Sequence, residues 1–290
     1  MIPLCRLAIA ASLLGLCLPP AGAEPTSGPD PNAGRADRLD GVRLAAVREG
    51  RALVPAVMHR DMPEVLATDA RAEVRKGVFF KTVLPAVLRA NARIRDQRRF
   101  LNRVAIKKAA GIALDPAARW RLNDLADRYR TEADKIATLR RRVDVIPPSL
   151  ALAQAAIESG WGRSRFAQNA NALFGQRTYN CESCGLKPKG YESDPGFVVT
   201  GFPTIMESVR AYMHNLNTHR AYKELRRRRW RARQAGKPLD GRDLAAGLLR
   251  YSERGMAYIK DVRAVIAAND LTDFDSARLA WHPQMVNLAR

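Results

Sequence analysis

Histidine, cysteine and acidic side chains are all in short supply in this chain, and each shortage closes off a kind of chemistry. Its 290 residues include 4 histidines, His59, His214, His219 and His282. No two of them stand at a spacing that suits a shared ion, so no metal is expected. Of the 4 cysteines, Cys5 and Cys17 lie at the extreme amino terminus, which leaves Cys181 and Cys184 as a single C-x-x-C pair. A second ligand pair for structural zinc is missing, and no thioredoxin-like βαβ pattern surrounds this one. A local disulfide is therefore favoured over a redox centre or half of a zinc site. After the first 23 residues no stretch approaches the roughly 20 apolar residues that a membrane-spanning helix needs. Acids are outnumbered, 29 against 49 lysines and arginines, for a net charge of +20.

The amino terminus decides how that charge is read. Arg6 is followed by an apolar run from Leu7 to Leu18, then Pro19-Pro20 and the small-x-small tripeptide Ala21-Gly22-Ala23. This is the pattern of a signal peptide removed after residue 23. Leu16, where a lipoprotein needs a small residue, argues against lipidation at Cys17. Removal takes away one arginine and no acid, leaving +19. An exported chain is not expected to bind nucleic acid, despite its basic balance.

The rest divides by composition. Residues 24–37, rich in Pro, Gly, Ser and Asp, read as a flexible leader, and residues 38–142 as a helical extension. Within the extension Arg71 to Ala109 is periodic, with Val74, Val78, Leu84 and Leu88 on its apolar side, and Pro85 is expected to kink or split it. Asp115-Pro116 opens a further helix, and Leu122, Leu125, Tyr129 and Ile136 form a packing stripe. Residues 172–201 change character, with scattered Gly and Pro and short apolar pieces, as in a small irregular β lobe. Thr204 and Glu207 fit a capping box. Asp240 caps a helix reaching Arg250, Met256 to Ala268 supplies another, and residues 271–290 form a polar tail. The expected class is α+β, mainly α.

One stretch carries candidate chemistry: P-P-S-L-A-L-A-Q-A-A-I-E-S-G-W-G, from Pro147 to Gly162. A helix can begin only after the prolines, with Ser149 as a possible cap, and Gly160 and Gly162 end it. Leu150, Ala153 and Ile157 share one face. Glu158 then falls in the last turn, beside the negative end of the backbone dipole. A carboxylate is disfavoured there, which raises its pKa and suits a general acid working near neutrality. A plain surface glutamate at a helix end would sit in the same place.

The segment W-G-R-S-R-F-A, the following N-A-L-F-G-Q, and further motifs at Leu84–Ile94, Phe202–Arg226 and Leu248–Arg263 resemble the glucosaminidase domain of glycoside hydrolase family 73, in its Bax-type branch. The resemblance covers nearly the whole mature chain, with the motifs in family order. It implies a lysozyme-like helical lobe and a small β lobe over residues 143–270, with a groove for polysaccharide between them. It also implies an exported enzyme of the periplasm or cell envelope, cutting peptidoglycan glycan strands after N-acetylglucosamine without a cofactor. On this reading Glu158 is the proton donor. Glu182, Glu192 and Asp194 are the candidates for a second carboxylate, although the family's β-lobe glutamate is not clearly reproduced here. The sugar's own acetamido group is the alternative nucleophile. Tyr251 is the preferred groove residue, and Tyr258 either lines the groove or is core. Asn171, Phe174 and Gln176 would form the groove floor, with packing beneath the β lobe as the plainer role for Phe174. Trp161 stacks on a sugar or fills the hinge between lobes. Bax-type chains also carry a cysteine pair near Cys181 and Cys184.

Other readings stay open. E-S followed by a G-Q loop also occurs in lytic transglycosylases, and a degenerate site would leave a wall-binding module. The run Arg226 to Arg231, R-R-R-R-W-R, reads first as a solvated helix with charges all round. Its functional reading is contact with anionic wall or membrane surface.

Overall fold

The computed structural model describes residues 44–68, 71–179, 181–188 and 196–280, with the backbone alone for Glu182. Residues 1–43, where a signal peptide and a leader are expected, Glu192, Asp194 and the last ten residues lie outside the described residues.

A short helix α1 (Leu44–Arg48) is followed by an extended strap and then by α2 (Ala72–Ala109), 38 residues long. Pro85 does not split it: the helix continues on both sides of the proline. The missing backbone hydrogen bond costs about 3 kcal/mol in an isolated helix. Here Val83, Leu84, Val87 and Leu88 are buried around it, and that burial outweighs the loss. Asp115 Oδ1 accepts the Ala118 N–H at 2.8 Å and Pro116 occupies the first turn, so α3 (Pro116–Arg128) starts where the sequence places it. Its apolar stripe stops at Tyr129. Arg130 takes a left-handed φ of 57°, and Ile136 opens a separate helix, α4 (Ile136–Arg142).

Helix α5 (Pro148–Ser159) lies at the centre, against α2, α9 (Gly241–Ala245), α10 (Met256–Ala268) and a 3-10 turn, Leu271–Ser276. It is not one-faced. Every residue from Pro148 to Ala156 is buried, as the run of small and apolar side chains requires once neighbours pack on all sides. Ser149 is not its cap either. Pro147 holds that position without a side-chain bond, and Asp275 reaches in instead, accepting from Ser149 N–H and Ser149 Oγ at 2.8 Å each. Burial pushes the Asp275 carboxyl up to about 6. The stretch after Asn269, polar by composition, thus returns to the core through Leu271 and Phe274 and secures the start of the central helix.

After α6 (Arg165–Ala170), strands β1 (Arg177–Thr178), β2 (Gly185–Leu186) and β3 (Val198–Thr200) form an antiparallel sheet in the order β1-β3-β2. Arg177 pairs with Val199 and Gly185 with Thr200. This is the β lobe, and Cys181 is disulfide-bonded to Cys184 within it. Thr204 Oγ1 caps α7 (Ile205–Thr218) by accepting from Glu207 N–H at 3.2 Å. Helix α8 (Lys223–Gln234) follows. The helix begun at Asp240 is short, giving way to a 3-10 turn at Ala246–Leu248 before it can reach Arg250. The fold is mainly α, with one small three-stranded sheet among the described residues. No helix among the described residues is long and apolar enough to cross a membrane.

The arginine run does not point all round into solvent. Arg226 is buried and donates to the carbonyls of Leu216 and His219 at 2.8 and 2.9 Å. Arg229, 1% exposed, donates to the carbonyls of Asp144, Val145 and Arg141 at 3.0, 3.0 and 3.1 Å. Positions 226 and 229 share the inner face of α8 and serve as internal struts. Arg227, Arg228 and Arg231 stay exposed, the first two paired with Glu224. Any anionic surface would meet only those three.

Candidate active site

Glu158 lies in the last turn of α5, and the chain leaves that helix through three successive left-handed residues, Gly160, Trp161 and Gly162, at φ 57°, 60° and 81°. For tryptophan this conformation costs about 1–2 kcal/mol. Its ring is held edge-on by Phe79 and Phe80, at 5.6 and 5.7 Å between centroids, with the Lys76 ammonium 5.4 Å from its centre. Trp161 thus fills the junction between α5 and α2. A side chain at Gly162 would meet the Met62 methyl at 2.7 Å, so close packing as well as φ requires glycine there.

The Glu158 carboxyl is half-buried. Burial is the main influence on it and pushes its pKa up to about 7, against a hydrogen bond from Tyr258 and the charges of Arg177 and Arg254, which pull it down. The direction agrees with the helix-end argument, but desolvation is the larger cause. Gly175 comes close: a Cβ there would sit 3.1 Å from Glu158 Oε2, at a left-handed φ of 60°. The glycine of N-A-L-F-G-Q is what lets this loop cross over the carboxyl.

A directed chain of hydrogen bonds backs the carboxyl. Tyr212 Oη donates to Gln154 Oε1 at 2.8 Å, and Gln154 Nε2 donates to Tyr258 Oη at 3.0 Å. With its oxygen engaged by Gln154, Tyr258 has its own proton left for Glu158. Gln154 is fully buried one helical turn before Glu158, so both project from the same side of α5. Tyr251 stacks on Tyr258, with centroids 5.4 Å apart and planes 7° from parallel, and its hydroxyl donates to the Phe174 carbonyl at 3.0 Å. Phe174 in turn stacks on Tyr212 at 3.9 Å. Phe174 is therefore a buried packing residue, Tyr258 bonds the carboxyl, and Tyr251 packs behind Tyr258.

The remaining candidates are placed less centrally. Asn171 is buried at the left-handed end of α6, where its amide donates to Asp61 Oδ1 at 2.9 Å and the Phe202 carbonyl at 3.2 Å. It ties the amino-terminal strap to the segment that follows the β lobe. Gln176 Oε1 is buried, with no hydrogen-bond partner among the described residues. Among the described residues no three His, Cys, Asp or Glu side chains cluster as metal ligands would. Sequence reasoning passed over Gln154, Tyr212 and Gly175. The first had a visible signal: a lone amide in an apolar helix, four residues before the glutamate.

The raised carboxyl makes a thermodynamic prediction. Its folded pKa, about 7, exceeds its ordinary 4.5. The protonated form therefore adds stability that is complete below the unfolded value and is lost as pH rises through the folded one. The term is at most about 3 kcal/mol. Denaturant melts should show wild type losing stability relative to Glu158→Gln between acid and mildly alkaline pH. Parallel curves for the two proteins would rule the shift out.

Residues 133–271 match the glucosaminidase family, described as mannosyl-glycoprotein endo-beta-N-acetylglucosaminidase, a family of glycan hydrolases. The chain is a Bax-type glucosaminidase-domain protein. It is 38% identical over 192 residues to Protein bax of Escherichia coli (strain K12), an alignment covering 63% of this chain and 66% of that protein. No solved structure matches it.

Proposed function

We propose that the chain is an exported peptidoglycan hydrolase that cleaves glycan strands after N-acetylglucosamine, with Glu158 as general acid and residues 143–270 as the catalytic unit. The observation that carries this reading is the half-buried carboxyl at the end of α5, shifted to about 7. Such a group holds its proton in mildly acidic to neutral medium and can release it to a leaving glycosidic oxygen. Burial favours the protonated acid before transfer. Afterwards Tyr258, Arg177 and Arg254 stabilise the carboxylate, and the Tyr258 bond strengthens because it becomes charge-assisted.

The charges acting on Glu158 among the described residues are those of two arginines and no second carboxylate. Glu192 and Asp194 lie outside the described residues, as does the Glu182 side chain. A single-carboxylate mechanism fits what surrounds Glu158: the substrate's acetamido oxygen attacks the anomeric carbon as Glu158 protonates the leaving group, and water then opens the cyclic intermediate. A single carboxylate also suits a lytic transglycosylase, in which a sugar hydroxyl is the internal nucleophile. Mass spectrometry of digested sacculi separates the two. Reducing N-acetylglucosamine ends support hydrolysis, and anhydro-muramic ends support the transglycosylase. Binding to sacculi without soluble product would mark a wall-binding module.

Tyr258→Phe removes the bond that lowers the Glu158 pKa. The alkaline limb of the pH–rate profile should move to higher pH while the maximal rate falls. An unmoved limb would mean that Tyr258 packs against the site without acting on its proton.

A further inference from the structure

Helix α7 has two working faces. Ser208, Val209, Tyr212 and Leu216 turn inward, Tyr212 toward Gln154 and the carboxyl. On its other side Glu207, Arg210, Ala211 and His214 help to line a cavity of about 520 Å³ shared with α2 and the end of α3. That is the size of a small-ligand site. Ile94 and Met213 supply apolar lining, and three guanidinium groups, Arg93, Arg128 and Arg210, border it.

These arginines stand close enough to repel one another. Arg93 has its pKa lowered by burial, then by Arg210 and Arg128. Arg128 is partly neutralised by Asp124, at 2.7 Å. Among the described residues neither Arg93 nor Arg210 has a hydrogen-bond or ion-pair partner. Two exposed, unpaired guanidiniums beside a cavity are ready to take carboxylates in forked geometry. Glu207 adds an acceptor to the same cavity. Its charge disfavours a phosphate dianion and favours a ligand that carries an amine or amide N–H as well as carboxylates. A short peptide with free carboxylates and an amine meets both demands.

We propose that this cleft binds the carboxylate-bearing peptide stems of the wall polymer, on the face of α7 opposite to the Tyr212–Gln154–Tyr258 chain. The inference rests on the reading of the chain as a wall-glycan hydrolase. It adds a peptide-recognition site through which a glycan strand is chosen by what hangs from it.

The test uses the mature chain and the double variant Arg93→Gln, Arg210→Gln, both positions being exposed. Calorimetric titration with the N-acetylated tetrapeptide Ala-γ-Glu-Lys-Ala should show binding by wild type, weakened about ten-fold or more in the variant and by added salt. On strands with intact stems the variant should lose turnover, and on strands stripped of peptide by an amidase it should match wild type. Equal peptide binding by the two proteins would overturn the proposal. So would arginine-dependent binding of inorganic phosphate or phosphatidylglycerol vesicles in place of the peptide. If wild type cleaves neither kind of strand, the hydrolase reading fails, and the titration still judges the cleft.

Discussion

Glu158→Gln should lower turnover of glycan strands by about 10²–10⁴-fold, the range over which a positioned proton donor contributes. Glutamine keeps the volume and can still accept from Tyr258, so the stacked Tyr251–Tyr258 pair and the crossing loop at Gly175 are left in place. Substrate affinity should be nearly unchanged, because the lost interaction matters mainly as the bond breaks. Retention of more than about a tenth of wild-type turnover would transfer the acid role to another group.

The second large effect concerns stability. Asp144 is 2% exposed and sits among three guanidinium groups: Arg233 at 3.0 Å, Arg98 at 3.4 Å and Arg229 at 3.8 Å. Burial alone would push its carboxyl up, but Arg229, Arg233 and Arg98 together hold it below the usual carboxylate range. Asp144→Ala leaves Arg229 charged and enclosed, with only backbone carbonyls to meet it. A cost of about 3–5 kcal/mol is expected, since removing one partner strands the other charge. Asp144→Asn should cost nearly as much, which would identify charge rather than shape as the cause. The pH sense is opposite to that of Glu158. A depressed carboxyl gives stability above its unfolded value and loses it as pH falls through the folded one. Equilibrium urea unfolding of both variants measures the effect, and a change below about 1 kcal/mol would show that the carbonyls alone satisfy Arg229.

The place of Glu158 in the last turn of its helix was legible because that helix carries its own punctuation: two prolines forbid an earlier start, and G-W-G forbids continuation. The caps at Asp115 and Thr204 were legible for the same reason, since each bonds a backbone group within three residues. What depended on distant partners was not. Ser149 looks like a local cap, yet its groups bond Asp275, 126 residues away. Pro85 carries a local penalty that only the surrounding core offsets. Arg226 and Arg229 have the spacing of an inward face but the residue type of an outward one, and the carbonyls that receive them come from α7 and α4. Asn171 reads as groove floor from its motif, whereas its amide is engaged by Asp61 in a strap whose path no local pattern reveals. Gln154 stands between these cases, its oddity visible in the helix and its partners not.

The account turns on a proton that stays on Glu158 near neutrality. The most direct measurement is a carbon-13 NMR titration of the side-chain carboxyls in glutamate-labelled protein, with Glu158→Gln identifying the resonance. A midpoint at about 7 for Glu158 is the expected result, and a midpoint at the ordinary 4.5 would contradict the assignment of this residue as the acid.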